Sequence, residues 1–348
     1  MVTKRLQSDL LQEPSRINRG GQISSIQILR FLSALAVSLF HIGFLDSLGR
    51  DYGIWLVNGV FIFYAISGYV TMLSTEKGSK NFMLKRVIKI FPLYWFLTIA
   101  TFIIMRLVPQ FFPYEPTYTE LLKSLFLIPF SHQSTATSEA MYPIVSMGHT
   151  IQTTMLYYLL FWMATQVSHK NRGWISTMLV VAIVSCGMLF KPNSSFLKFY
   201  LKPDLIYFVA GIVAYHICKI GRWNRIDRSS IALFLFGGLF IASMFLHNRW
   251  LLLLIIFLLI CSTVLCSQSR LLETTPLKMI SIMGNWTFSY FLIHLYIIRF
   301  VEVFGGTAFC LKAVVLDLIG LVVAWGISFI LYELIEKRFT NILKKRLL

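Results

Sequence analysis

Apolar residues run along this chain in blocks of about 17–25, separated by short polar stretches. Ten such blocks lie at about 27–46, 54–74, 89–108, 146–167, 174–190, 204–219, 230–247, 249–266, 286–304 and 311–334. A bilayer core about 30 Å thick takes about 20 residues of α-helix to cross. The pattern therefore predicts an all-α, polytopic integral membrane protein with about ten transmembrane helices. An eleventh stretch, Leu121 to Phe130, is too short to span and reads as interfacial or re-entrant. A transmembrane β-barrel needs two-residue alternation, which is not visible. A polar stretch of more than twenty residues precedes the first block, with no small-residue cleavage site, so that block reads as a retained helix. Residues 1–26 read as a cytoplasmic basic segment and 27–345 as one transmembrane domain. Most prolines fall at block starts or in loops, and Pro92 is expected in the first turn of the third helix.

Composition agrees. Only 14% of the 348 residues are charged and 57% are hydrophobic, with mean hydropathy +0.70. Soluble domains carry about 25% charged residues, so an ordinary soluble protein is excluded. The net charge of +17, from 32 Lys+Arg against 15 Asp+Glu, would suggest nucleic acid in a soluble chain. Here the cations cluster instead. They lie in the N-terminal segment, around Lys77–Lys89, at Lys170 and Arg172, between Lys219 and Arg228, at Arg270 and Lys278, and in the C-terminal tail. With ten spans these all face one side, the positive-inside pattern of an N-in, C-in chain, and no nucleic-acid partner is needed. Lys191, Lys198 and Lys202 break the pattern on the nominal outer side. Either they meet an anionic partner or the count is off by one nearby. Cys186, Cys218, Cys261, Cys266 and Cys310 lie in or beside apolar blocks without a CxxC. They read as small buried hydrophobes, and no metal is expected.

Ionisable groups inside apolar helices are the functional candidates. Arg30 and His41 are eleven residues apart, about three turns, which puts them on one helix face about 16 Å apart along the axis. Arg30 is expected at the cytoplasmic end and His41 deeper. One reading has Arg30 snorkelling to headgroups and His41 bonded to a neighbouring helix. The other has both lining a cavity, with His41 as a general base and Arg30 holding an anion. Arg86 and Lys89, spaced i, i+3, form either a plain inner-surface anchor or a phosphate-binding pair. Tyr94 and Trp95 suit an interfacial aromatic belt. In the ninth block His294 is a second intramembrane imidazole, packing or catalytic, and Arg299 is expected to pair with Glu302.

These residues resemble the membrane-bound acyltransferase 3 family, from about Ile26 to Lys345. Arg30 and His41 match its R-x10-H signature. Gly59 through Tyr69, including Ser67, resembles its second-helix motif, and Arg86 through Trp95 its R-x-x-R and Pro-Leu-Tyr-Trp run, with Lys89 as the second cation. Gly284 through His294 resembles its late histidine run, and Tyr332 through Lys337, including Glu336, its closing motif. The resemblance implies a multi-pass protein of the bacterial inner (cytoplasmic) membrane, in contact with membrane lipid. It would move an acyl group, usually acetyl, from cytoplasmic acetyl-CoA to a hydroxyl of a surface polysaccharide or lipid-linked glycan. By the same resemblance His41 is catalytic, with His294 a second catalytic candidate, while Arg30, Arg86 and Lys89 serve the CoA.

Two departures stand out. The family's tryptophan and glutamate before an aromatic run become His149 and Thr154, and Phe61 stands where many members carry an acid. Threonine cannot serve as an ionised partner, so His149 is a candidate for a compensating role. Two other readings remain: a glycolipid or polysaccharide transporter, weakened by the lack of an internal repeat, and a scaffold member of the family with altered catalysis.

Overall fold

The computed structural model describes residues 17–18, 22–42, 54–112, 114–131, 141–220, 229–305 and 311–348. The helices are α1 (Ser24–Phe40), α2 (Asn58–Ser74), α3 (Phe82–Leu107), α4 (Tyr118–Leu125), α5 (Gly148–Val167), α6 (Arg172–Phe190), α7 (Ser195–Tyr200) and α8 (Ile206–Ile220). There follow α9 (Ser229–Met244), α10 (Arg249–Leu265), α11 (Thr275–Met283), α12 (Thr287–Gly305), α13 (Leu311–Leu331) and α14 (Arg338–Leu347). Every apolar block is helical over most of its described length. A two-residue ladder, β1 (Ile17–Asn18) against β2 (Gln22–Ile23), precedes α1. Most of the basic N-terminal segment, the end of the first block and Cys310 lie outside the described residues.

Five helical units are long and apolar enough to cross a membrane: Phe82–Leu107, Arg172–Phe190, Ser195–Ile220, Thr275–Val303 and Leu311–Leu347. Shorter apolar helices stand at Ser24–Phe40, Asn58–Ser74, Ile231–Met244 and Arg249–Leu265. Large apolar side chains such as Phe190, Phe234, Leu311 and Val322 face outward, as lipid-exposed positions do. The chain is an all-helical membrane protein.

Several boundaries differ from the sequence expectation. The third helix begins at Phe82, so Pro92 lies inside it rather than in its first turn. Pro92 has no N–H to give to Ile88, four residues back. The freed Ile88 carbonyl instead accepts from Thr340 Oγ1 of α14 at 3.5 Å. The ninth helical unit starts at Thr275, with Pro276 in its first turn. Tyr94 and Trp95, expected as an interfacial belt, both hydrogen-bond to α4. Tyr94 is buried, and its hydroxyl donates to Ser124 O at 2.9 Å, while Trp95 Nε1 donates to Leu125 O at 2.9 Å. They fasten α4 about midway along α3. A capping box starts α4: Thr117 Oγ1 accepts from Glu120 N at 3.2 Å, and Glu120 Oε2 accepts from Thr117 N at 2.7 Å. The short Leu121–Phe130 stretch thus begins as a helix docked on a longer one. Cys266 is buried, but Cys186 is exposed on α6.

The two ends of the bundle are chemically distinct. At the first end Arg86 Nη2 donates to Ser74 Oγ at 3.0 Å, and Arg172 Nε to Thr75 Oγ1 at 2.9 Å. Glu76, just past α2, accepts from Tyr215 at 2.5 Å and from Lys219 at 3.2 Å. Burial raises the pKa of that carboxyl, but the two hydrogen bonds outweigh it and hold the group below its ordinary value. At the second end Lys202 meets α5, Asn58 Nδ2 donates to Ser243 O at 2.8 Å, and Asp204 pairs with Arg249 at 3.5 Å.

Helix α2 packs closely on α8. A Cβ at Gly68 would strike Phe208 O, and one at Gly211 would strike Ala65 O, so each backbone occupies the other's side-chain space. Gly211→Ala is expected to shift α8 off α2 and destabilise the protein by about 2 kcal/mol or more, the scale of overpacking a core. Gly237, with nothing within 4 Å of an added Cβ, is the internal control. Thermal unfolding in detergent should show a lower Tm for Gly211→Ala and none for Gly237→Ala. Equal values would show that the α2–α8 contact tolerates separation.

Candidate functional site

A cavity with about 720 Å³ of atom-free space, part of it open to the surroundings, runs between α1, α2, α3, α5 and α12. Arg30, Arg86 and Lys89 give it three cations; Thr150, Thr154 and Thr287 give it hydroxyls; Phe63, Phe288 and Phe291 give it apolar walls. Arg30 and Lys89 also line a second recess of about 570 Å³ with Glu336, Lys337 and Lys344. The two spaces therefore share a basic seam that opens at the first end.

The cations are held by different means. Arg30 Nη1 donates to Gln27 Oε1, one turn back, at 3.3 Å. Arg86 lies over the rings of Tyr158 (4.7 Å) and Phe82 (5.2 Å), cation–π contacts that orient a guanidinium without neutralising it. Glu336 is buried, and its Oε2 accepts from Ser289 Oγ at 3.0 Å. Its electrostatic partners are Lys89 and Arg30. It sits in a π-helical turn, Tyr332–Lys337, that interrupts the run from α13 to α14; such insertions redirect side chains at functional sites.

His41 is not in the cavity. It ends α1 as its C-cap, with its backbone N–H on Ser38 O at 3.1 Å. Arg30 is not at the tip of α1 but six residues inside it. The reading that has both lining one cavity does not hold among the described residues: Arg30 and Phe291 line it, and His41 does not. The Phe291 ring is 5.8 Å from Phe63 on the cavity side and 5.8 Å from His294 on the other. Beyond it, the rings of His41 and His294 lie 5.5 Å apart.

His294 is fully buried. Its Nδ1 faces Tyr290 O at 3.2 Å and Phe291 O at 3.0 Å. Carbonyls only accept, so Nδ1 carries the proton and Nε2 keeps its lone pair. That Nε2 is a buried atom without a partner. A stack supports the ring from behind: Trp325 on Tyr290 at 3.9 Å, then Tyr290 on His294 at 5.4 Å. Tyr290 in turn donates to Ser38 Oγ at 2.7 Å, fastening α12 to the last turn of α1.

His149 opens α5. Its Nδ1 donates to Ser146 O at 2.8 Å, so Nε2 accepts from Thr150 Oγ1 at 3.3 Å. Both nitrogens are occupied, which suits an orienting group better than a base. Thr154 lines the cavity, its hydroxyl donating to Thr150 O at 2.8 Å. Ser67 stands half-buried in α2 and lines neither space. Arg299 and Glu302 pair at 2.7 Å. Among the described residues no three His, Cys, Asp or Glu side chains gather as a metal site.

Sequence reasoning missed Ser38, Ser289, Tyr290 and Trp325. The two serines carried a signal, being hydroxyls inside apolar helices; the roles of Tyr290 and Trp325 follow only from tertiary stacking.

The fold and the site together define an apolar helix bundle of the membrane, with a cation-lined cavity and, outside its lining, a pair of adjacent imidazoles. The chain belongs to the acyltransferase 3 family, whose profile, described as an acyltransferase domain, matches residues 23–333. The exopolysaccharide production protein ExoZ of Rhizobium meliloti (strain 1021) is 26% identical over 167 residues, which cover 47% of this chain and 51% of that protein. The chain thus spans about half the length of the curated relative it matches. No solved structure gives a significant match.

Proposed function

We propose that this protein is a membrane O-acyltransferase. It moves an acyl group, acetyl by family resemblance, from cytoplasmic acyl-CoA to a hydroxyl of a cell-surface polysaccharide or its lipid-linked precursor. The observation that carries the reading is the cavity: three cations at one end, and at the other an aromatic partition with the His41–His294 pair behind it. The reading adopts ten spans with both termini inside, in a bacterial inner membrane. This orientation places the first end, with Lys85, Arg86 and the C-terminal lysines, in the cytoplasm.

Arg30, Arg86 and Lys89 would hold the donor's phosphates, for which guanidinium and ammonium donors fit. Bound there, acyl-CoA supplies a thioester carbonyl carbon. His41 takes the proton from the acceptor hydroxyl as its oxygen bonds to that carbon; the carbon–sulfur bond breaks, and the thiolate leaves and is protonated. His294 is the second imidazole, 5.5 Å from the His41 ring, and His149 orients the approach at the start of α5. Passage between cavity and imidazoles requires Phe291 to rotate aside.

Removing two of the cations tests the donor half. Arg86→Ala/Lys89→Ala is expected to raise KM for acetyl-CoA by about 100-fold or more, since each hydrogen bond to a charged group contributes about 1.5–3 kcal/mol. The readout is acetyl-CoA titration in inside-out vesicles supplied with acceptor. An unchanged KM would remove this cavity from donor binding.

A further inference from the structure

The lysines that break the positive-inside pattern converge in the structure. Lys191, Lys198 and Lys202 line one groove of about 550 Å³ at the second end, between the close of α6 and the start of α8. Helix α6 is 19 residues long, so this groove lies about 28 Å from the Arg172 end. Lys202 reaches inward from it. Its Nζ donates to Thr153 Oγ1 at 2.8 Å and lies over the rings of Phe199 (4.8 Å) and Tyr64 (5.9 Å). Thr153 Oγ1 in turn donates to His149 O at 3.1 Å. A line of contacts therefore runs from the groove to His149.

The charge of Lys202 is only partly balanced inside the protein, by Asp204, a carboxylate it shares with Arg249. An ammonium has three donors, and Thr153 takes one. Asp204, two residues on, directs its carboxylate to Arg249 at 3.5 Å. A half-buried cation with spare donors beside a basic groove fits an anion.

We infer that this groove is the subsite for an acidic group on the acceptor, a carboxylate or a phosphate, with Lys202 its inner contact. The inference rests on the acyltransferase reading and narrows its acceptor class to anionic glycans. The acid has two possible sources, a carboxylate of the glycan itself or the diphosphate of its lipid carrier. Anchored in the groove, the acceptor presents its hydroxyl along the Thr153–His149 line towards His41. Lys202 is a specificity residue here and touches no reacting atom.

The test uses the full chain in nanodiscs and three probes: a neutral trisaccharide, the same trisaccharide with one glucuronate, and the neutral trisaccharide on undecaprenyl diphosphate. Binding is read by calorimetry and needs no turnover. The wild type is expected to bind one acidic probe at least about tenfold more tightly than the neutral one, the scale of a single charge-assisted hydrogen bond. Lys202→Gln, which can still bond Thr153, should erase that difference and leave KM for acetyl-CoA unchanged. Lys202→Arg should retain it. A gain confined to glucuronate assigns the glycan's own carboxylate; a gain confined to the diphosphate assigns the carrier. Equal affinity of the wild type for all three probes, or equal weakening of all three by Lys202→Gln, overturns the inference. Charge-dependent binding without any acyl transfer by the wild type upholds the groove and removes the acyltransferase activity instead.

Discussion

His41→Ala is expected to lower acyl transfer by about 100- to 10,000-fold, the range that positioned general bases contribute, with little change in folding. The asymmetry follows from where the ring sits. His41 ends α1, is only partly buried, and touches Phe40 and His294 through ring edges. Truncation there removes few packing contacts, so a lost rate reports chemistry. His294 differs: it is fully buried between Tyr290 and Phe291, and alanine there would leave a cavity as well as remove a nitrogen. The cleaner change at His294 is glutamine, which keeps a polar group near the Tyr290 and Phe291 carbonyls. If the two imidazoles act as a unit, the double variant His41→Ala/His294→Gln should be scarcely slower than His41→Ala alone, because residues acting together are strongly non-additive. O-acetyl content of the surface glycan, measured beside the amount of membrane-inserted protein, checks both. Full acetylation by His41→Ala would remove His41 from the reaction, and multiplicative losses would separate the two histidines.

The apolar blocks were legible because a twenty-residue apolar run has few alternatives to a membrane helix. Their edges were less so, and α3 shows why. Pro92 looked like a helix start, since locally it breaks the hydrogen-bond ladder. What lets the helix run through it is Thr340, whose hydroxyl meets the Ile88 carbonyl from 252 residues away along the chain. The same division holds in the site. Arg30, Arg86 and Lys89 were visible as cations in apolar surroundings, and they do share one cavity. The partition at Phe291 was not visible, because a phenylalanine among thirty carries no local mark. His149 was noticed for replacing a tryptophan, but its role depends on Ser146 and Thr150 occupying both ring nitrogens. Periodicity reports faces; it does not report which faces meet.

Glu336→Ala is expected to destabilise the protein by about 3–5 kcal/mol, the scale for removing one partner from a buried charge group. Glu336 is 5% exposed, bonded to Ser289, and faces Arg30 and Lys89 inside the seam and Lys344 at its rim, while Lys337 is paired with Glu333 at 2.7 Å. Alanine leaves those cations facing one another across a partly dry recess. Glu336→Gln separates the two contributions, because an amide oxygen can still accept from Ser289 while the charge is gone. If charge balance dominates, glutamine should be nearly as harmful as alanine. Adding Lys89→Met to Glu336→Gln should then recover part of the lost stability, by deleting the repulsion along with its counter-charge. It should not recover donor affinity, since Lys89 serves both purposes in this arrangement. Tm in detergent and KM for acetyl-CoA, measured on the same four proteins, distinguish the cases. A Glu336→Gln protein as stable as the wild type would mean that the carboxylate does not balance the seam, and that the π-helical turn places it there for the hydrogen bond to Ser289 alone.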